Sequence, residues 1–321
     1  MKVAVTDYTF PDLEIERGIL GESGCEVVAW KEKKSAAELP ELVHDADVVI
    51  TQFAPVNKDV IGSMTKARAI VRYGIGVDNV DLEAAKAKGI PVCNIAGFCA
   101  DEVADHTLAF ILATTRQVVT NAVHIRNGNW GLATGLETMH KLRDLTVGVV
   151  GLGRIGREVV ARLQGFRTRI LGYDPALPAK GIEELGVIPA DLDRLLAESD
   201  VITLHCPSTD ETRNLINAST LAKTKRGVIV INLSRGDVVD SEALTKGLQS
   251  GQVSAAALDV FNPEPIPVDH PIRSMPNVIL AAHISSASVP AVTNLRETTA
   301  RIALMALKGE PLINIVNGVK Q

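Results

Sequence analysis

The chain has 321 residues, of which 46% are apolar and 22% charged, with a formal net charge of −5; this excludes a disordered or collagen-like chain and leaves no basic surface to recruit nucleic acid. At about 100 to 200 residues per domain, the length predicts two domains. Aromatic residues make up only 3%, so the core must be built from Val, Ile, Leu and Ala, the mixture that fills parallel sheets and the helices lying on them.

The opening residues, 1–7, are too short an apolar run for a signal peptide and lack a small-residue cleavage pattern. Short apolar runs then alternate with helical patterns along the whole chain, which predicts α/β units joined by right-handed crossovers. Strands are predicted over 2–6, 26–30, 48–51, 69–72 and 91–94, and a helix over 81–88 closes at Gly89. A long helix over 101–116 has an acidic first turn and is apolar nearly all round, as suits a buried or interface helix. The Gly- and Asn-rich stretch 121–141 reads as a connecting arm. Six further strands follow, over 146–150, 169–173, 201–206, 227–233, 254–260 and 278–283, enough for a doubly wound sheet.

The tail over 290–308 is helical and is followed by an apolar piece, 312–316, too apolar to be loose. It is expected to pack back on the first domain, giving a discontinuous domain of 1–99 with 290–321 and a second domain of 100–289. The charge-free stretch 278–295 carries His283, Pro290 and Asn294, a load that a membrane helix would not bear. No membrane anchor is expected. The four cysteines, Cys25, Cys93, Cys99 and Cys206, show neither metal spacing nor a Cys-x-x-Cys pair, and read as reduced thiols of a cytoplasmic protein.

The sharpest motif is Val147-Gly148-Val149-Val150-Gly151-Leu152-Gly153-Arg154-Ile155-Gly156, an apolar strand, a Gly-x-Gly-x-x-Gly turn and a helix start. Gly151 permits the tight turn, Gly153 lets backbone N–H groups approach a pyrophosphate, and Gly156 lets the helix lie close to the sheet. The next strand ends in Asp174, eighteen residues beyond Gly156. An acid there accepts hydrogen bonds from ribose hydroxyls and repels a 2′-phosphate, which selects NAD over NADP. The bland alternative is a Gly-rich turn with a solvated acid.

Of the seven histidines, His205 and His283 follow apolar strands, whose carboxyl ends face the ligand crevice in open α/β sheets. His44, His124, His140 and His270 lie in polar surroundings and read as surface residues; His106, in the apolar helix, reads as structural. Arg235 follows a wholly apolar strand, where a guanidinium is costly unless it meets an anion. Asp259 ends the next strand and Glu264 sits in a Pro-rich loop after it. A histidine can protonate a carbonyl oxygen, a carboxylate can stabilise the imidazolium, and an arginine can bind a substrate carboxylate. The alternative is an Arg235–Glu264 salt bridge with an incidental histidine.

Taken in order, Arg72-Tyr73-Gly74-Ile75-Gly76-Val77-Asp78-Asn79-Val80-Asp81, the 151–156 turn, Leu204-His205-Cys206-Pro207, 232–236, Ala256-Ala257-Leu258-Asp259-Val260, Glu264 and His283 resemble the D-isomer-specific, NAD-dependent 2-hydroxyacid dehydrogenases. The phosphoglycerate dehydrogenase branch is close by, and the resemblance covers nearly the whole chain. It implies a Rossmann nucleotide-binding domain and a smaller flavodoxin-like α/β substrate domain, hydride transfer in a cleft between them, and a homodimer made through the nucleotide domain. Arg235, Glu264 and His283 then match the catalytic arginine, glutamate and histidine, which chooses His283 over His205. The resemblance puts Arg154, Ile155, Asp174, Cys206 and Pro207 along the cofactor, with Leu233, Ser234, Asp259 and Ser286; Asp259 falls near the carboxamide. The turn at Gly74, Ile75 and Gly76 matches the loop whose N–H groups hold a substrate carboxylate.

Two departures bear on the substrate side of the resemblance. Ala282 stands where the family often has proline before the histidine. The loop Thr51-Gln52-Phe53-Ala54-Pro55 lacks the arginine that branch members acting on phosphorylated substrates tend to carry, although Arg72 matches a basic position of that branch. The sequence also stops at Gln321, where many phosphoglycerate dehydrogenases continue into a regulatory domain. A small unphosphorylated acid such as glyoxylate or hydroxypyruvate is therefore expected, with Gln52 in the pocket loop and Phe53 and Ile75 bounding its side chain. The alternatives are a phosphoglycerate dehydrogenase, or an NADH-sensing interaction protein, since 92–95 and 103–107 also resemble the C-terminal-binding-protein co-repressors.

Overall fold

The computed structural model describes residues 1–21 and 23–320; Glu22 and Gln321, the last residue of the expected C-terminal segment, lie outside the described residues. The chain divides into two compact units, Met1–Phe98 with Ser288–Gln321, and Cys99–Ala287.

In the first unit β1 (Lys2–Val5), β2 (Glu26–Ala29), β3 (Val48–Thr51), β4 (Ala69–Arg72) and β5 (Val92–Cys93) form one parallel sheet in the order β2-β1-β3-β4-β5. Every residue of β3 and β4 is buried, which is why both read as unbroken apolar runs ending in one polar residue. The helix Val289–Lys308 brings Leu295, Ile302, Ala303 and Leu307 into the same core as Val5, Ile50 and Val71. Ser288 caps its start by accepting Ala291 N–H, and Gly309 ends it at φ +71°. The strand order reverses between β1 and β3, and ligands of this flavodoxin-like arrangement sit at the carboxyl ends of that strand pair.

The second unit holds β6 (Thr146–Val150), β7 (Arg169–Tyr173), β8 (Ile188–Pro189), β9 (Val201–Leu204), β10 (Val228–Asn232), β11 (Val253–Leu258) and β12 (Val278–Leu280). Their order is β12-β11-β10-β9-β6-β7-β8, parallel throughout. This is the doubly wound Rossmann order with one further edge strand, and it reverses between β6 and β9. The expected six strands become seven: β8 is a two-residue edge strand containing Pro189, too short to show a period and tolerant of proline because it is an edge.

Four predicted strands overrun their true ends, since β9, β10, β11 and β12 stop at Leu204, Asn232, Leu258 and Leu280. Cys206, Leu233 and Val260 remain buried beyond those ends, so the apolar pattern continues into buried loops and gives no sign of the stop. The predicted arm is also corrected. A helix, Val118–Arg126, follows Ala100–Thr115 after a break at Gln117, whose φ is +51°. None of its residues is buried, so no apolar stripe announces it. No helix among the described residues is long and apolar enough to cross a membrane.

Candidate active site

The turn after β6 is built by two close approaches. Gly151 has φ +89°, and a Cβ there would stand 2.7 Å from Cys206 N, so the turn lies directly against the loop after β9. A Cβ on Gly156 would stand 2.0 Å from Gly151 O; what this glycine allows is contact between the helix Arg154–Gly165 and the turn itself. Gly153, the N-cap of that helix, meets nothing within 4 Å at its Cβ position. Among the described residues no side chain caps this N-terminus, whose N–H groups and positive dipole end suit a pyrophosphate.

Asp174 follows β7 and is half-buried. Its Oδ2 accepts Leu152 N–H at 2.8 Å and its Oδ1 accepts Ala176 N–H at 2.9 Å, so it braces the glycine turn and keeps a lone pair on each oxygen for a ribose hydroxyl. Arg154 and Pro207 are exposed, and Ile155 and Ser286 half-buried. Burial pushes the Cys206 thiol up to about 11, leaving a neutral side chain beside the turn. Glycine turn, open N-terminus and ribose acid together fit NAD.

His205 and His283 sit in contrasting surroundings. Desolvation pushes His205 down to about 3, so it is a neutral imidazole, in contact with Thr203 Oγ1 at 2.9 Å. His283 instead faces a carboxylate: Nδ1 lies 2.9 Å from Glu264 Oε2, with the two side chains 28% and 33% exposed. That contact orients the ring through Nδ1. Burial works against the charge of Glu264, but the His283 hydrogen bond and charge, the Phe261 N–H and the Arg235 charge outweigh it and hold its carboxyl below the usual range. Phe261 N–H donates to Glu264 Oε1 at 2.9 Å, so both oxygens are oriented.

Asp259 supports this arrangement from beneath. It is fully buried, and its oxygens accept Ile284 N–H at 2.8 Å and Ser285 N–H at 2.9 Å. His283 has φ +55°, a conformation that costs about 1–2 kcal/mol for an ordinary residue, and the two charge-assisted bonds to its following residues hold it there. Sequence reading placed Asp259 on the cofactor and missed this turn-holding role.

Arg235 is set by Asn232, to which the sequence reading gave no role of its own. Asn232 ends β10 with 1% exposure; its Oδ1 accepts from Ser234 N at 3.0 Å and Oγ at 2.8 Å, and its Nδ2 donates to Arg235 O at 2.8 Å. A lone amide closing an apolar strand was the available signal. Buried Leu233 and half-buried Ser234 share the turn. His270, read as a surface residue, in fact accepts Ile272 N–H at Nδ1 and touches Ser241 Oγ at Nε2, capping the turn Pro271–Ser274.

In the first unit the candidate substrate residues cluster at the carboxyl ends of β3 and β4. Asp7, after β1 and 3% exposed, accepts the N–H groups of Gln52, Phe53 and Ala54 at 3.0, 2.7 and 3.1 Å and so shapes that loop, a role with no sequence signal. Gln52 is buried, with Oε1 accepting Thr9 N–H and Nε2 donating to Thr9 Oγ1. The Arg72 guanidinium lies 5.7 Å from the Phe53 ring centroid. Gly74 has φ +141°, and a Cβ there would stand 1.5 Å from Arg72 Nη1, so the arginine packs under the turn. Gly74 O accepts Ile95 N–H at 2.9 Å and Ile75 O accepts the Asn94 amide at 2.7 Å; Ile75 and Gly76 are half-buried.

Comparison with known proteins gives a consistent answer. A model of the D-isomer specific 2-hydroxyacid dehydrogenase NAD-binding domain matches residues 108–285. A glyoxylate reductase of Korarchaeum cryptofilum is 37% identical over 308 residues, 94% of this chain and 93% of that one. A D-3-phosphoglycerate dehydrogenase of Methanocaldococcus jannaschii is 38% identical over 321 residues, 99% of this chain but 59% of that protein. The crystal structure of D-lactate dehydrogenase from Aquifex aeolicus complexed with NAD and lactic acid is similar with a TM-score of 0.85 at 28% identity, over 97% of this chain and 96% of that one.

Proposed function

We propose, on the premise that the chain belongs to the D-isomer specific 2-hydroxyacid dehydrogenase family and is an NAD-dependent oxidoreductase, that it interconverts a small unphosphorylated D-2-hydroxy acid and its 2-oxo acid. The observation that carries this reading is the 2.9 Å contact of His283 Nδ1 with Glu264 Oε2 in the loops following β11 and β12, beside the Arg235 turn. NAD, when bound, supplies the hydride donor for reduction and the acceptor for oxidation. Gly151, Gly153 and Gly156 would hold its pyrophosphate at the open helix N-terminus, and Asp174 its ribose. Asp259, Leu233, Ser234, Cys206 and Ser286 are assigned to the remainder of the cofactor.

In reduction His283 Nε2 donates a proton to the carbonyl oxygen, and in oxidation it takes the proton back from the hydroxyl. Glu264 orients the ring through Nδ1 and stabilises the imidazolium. Arg235 binds the substrate carboxylate and polarises the carbonyl. In the first unit, taken by itself, the turn at Gly74, Ile75 and Gly76 is assigned as a source of backbone N–H groups for a substrate carboxylate. A phosphate dianion needs paired cationic donors. Here the 52–54 loop presents Phe53 and an amide already engaged by Thr9, and Arg72 is 9% exposed beneath the turn, which supports an unphosphorylated substrate.

Initial rates of NADH oxidation with glyoxylate, hydroxypyruvate and phosphohydroxypyruvate test the proposal, each repeated with NADPH. The expected result is a higher kcat/KM for an unphosphorylated acid than for phosphohydroxypyruvate, and for NADH than for NADPH, because Asp174 repels a 2′-phosphate. A clear advantage for phosphohydroxypyruvate would overturn the substrate class and point to Arg72 as the phosphate partner. Tight NADH binding without turnover across the panel would favour an NADH-reading interaction protein.

The protein is also assigned as a homodimer formed through the second unit. Val118 and Val123 on the helix Val118–Arg126, with Trp130, Leu132 and Leu136 after it, are between 46% and 94% exposed, more apolar surface than scattered single residues explain. Light scattering should return twice the 34.2 kDa chain mass, and a Trp130→Asp, Leu136→Asp double variant should shift toward the monomer; a monomeric wild type at micromolar concentration would refute the assignment.

A further inference from the structure

One charged cluster of the first unit takes no part in the chemistry above. Glu16 is completely buried and Arg296, on the helix Val289–Lys308, is 6% exposed. They meet in a two-pronged pair, Arg296 Nε to Glu16 Oε1 at 2.9 Å and Nη2 to Oε2 at 2.8 Å. The Tyr73 hydroxyl donates to the same carboxylate, at 3.0 Å from Oε1. Arg296 Nη2 also reaches Asp12 O and Oδ1. Phe10 fits between, edge-on to Tyr73 and under the guanidinium. A buried ion pair gains little stability over well-packed apolar residues of the same volume, so its presence calls for a role in holding something in one geometry.

What it holds is Tyr73, the residue immediately before Gly74. Tyr73 is 1% exposed, and its N–H donates to Thr51 O at 2.8 Å, so its backbone and its side chain are both tied down. On the far side the turn is braced by Asn94 and Ile95, as described above. The Gly74, Ile75, Gly76 turn is thus fixed at both ends, and one end depends on a guanidinium 280 positions away from Glu16 in the chain. Backbone donors aimed in advance at a ligand lose less freedom on binding it.

We infer that Glu16 and Arg296 are positioning residues that act through the Tyr73 hydroxyl to hold the Gly74 turn in the shape that accepts the substrate carboxylate. They set the KM for the 2-oxo acid without touching it. This rests on the reading of that turn as the carboxylate site.

The test is Tyr73→Phe, which keeps the ring against Phe10 and deletes one hydroxyl, in the full-length protein with its preferred 2-oxo acid. KM should rise about three- to tenfold, and inhibition by oxamate, a non-reacting isostere, should weaken by the same factor, with kcat and NADH affinity within about twofold of wild type. Arg296→Lys, which retains the charge but not the two-pronged geometry, should move KM in the same direction and carries the test should Tyr73→Phe fail to fold. Ile302→Val, in the same core, is the matched control: it should lower Tm and leave KM unchanged. Gly74→Ala separates the two claims. If Gly74→Ala leaves KM unchanged, the carboxylate reading of the turn fails. If Gly74→Ala raises KM while Tyr73→Phe and Arg296→Lys leave KM and oxamate inhibition at wild-type values, the positioning role fails and the reading stands.

Discussion

His283→Ala is expected to lower kcat for reduction of the 2-oxo acid by about a hundredfold or more, the scale of a lost acid–base group, while NADH affinity stays within about twofold. Alanine also inherits φ +55°, a strained conformation for it, so His283→Asn serves as the partner variant because asparagine tolerates that region better. Both variants remove the imidazole, but only alanine adds strain. Equal losses of kcat with different losses of stability would place the effect on the ring; unchanged turnover in either would sink the assignment.

Glu264 completes this prediction. Its carboxyl is held below the usual range, so the stability it contributes is complete above about pH 4.5 and is lost as pH falls through its lower folded value. Across the working range it is therefore a fixed negative charge against His283 Nδ1. Glu264→Gln removes that charge and keeps a polar group of the same shape, and kcat should fall by about tenfold or more while NADH affinity stays within about twofold. Unchanged turnover would mean that the two residues do not act as a pair.

What the sequence made legible, and what it did not, follows from how each residue is held. β3, β4, β6 and β7 read correctly to the residue because they are buried runs bounded by polar or glycine punctuation. β8 and the helix Val118–Arg126 were missed because one has no length and the other no buried face. Arg235, His205 and His283 stand out as polar groups after apolar strands and Glu264 as an acid in a Pro-rich loop, but only the family resemblance chooses between the two histidines; a Gly-x-Gly-x-x-Gly turn announces itself by composition. The residues that aim them left little trace: Asp7, Asn232 and the turn-holding function of Asp259 consist of side chains accepting backbone N–H groups far away in sequence or across a loop. Asp7 and the 52–54 amides are 45 to 47 positions apart, a pairing that only the reversal of strand order between β1 and β3 creates.

Gly236→Ala is expected to have the second large effect. A Cβ at position 236 would stand 2.0 Å from Phe261 C, 2.1 Å from Phe261 O and 2.6 Å from Asn262 N. All three are backbone atoms, so no side-chain rotation relieves the clash, and one of two loops must move by about 1 Å. On one side is the turn in which Asn232 fixes Arg235. On the other is the loop in which Phe261 N–H fixes Glu264, and through it His283. Whichever gives way, the guanidinium and the His283–Glu264 pair lose their spacing. A misplacement of that size costs about a hundredfold in rate, so kcat/KM for the 2-oxo acid should fall by roughly that factor. Gly165→Ala is the control, since nothing lies within 4 Å of its Cβ position, and it should retain wild-type kinetics. Wild-type kcat/KM in Gly236→Ala would show that the spacing of these two loops does not govern the chemistry, and Arg235 would then have to be removed from the site.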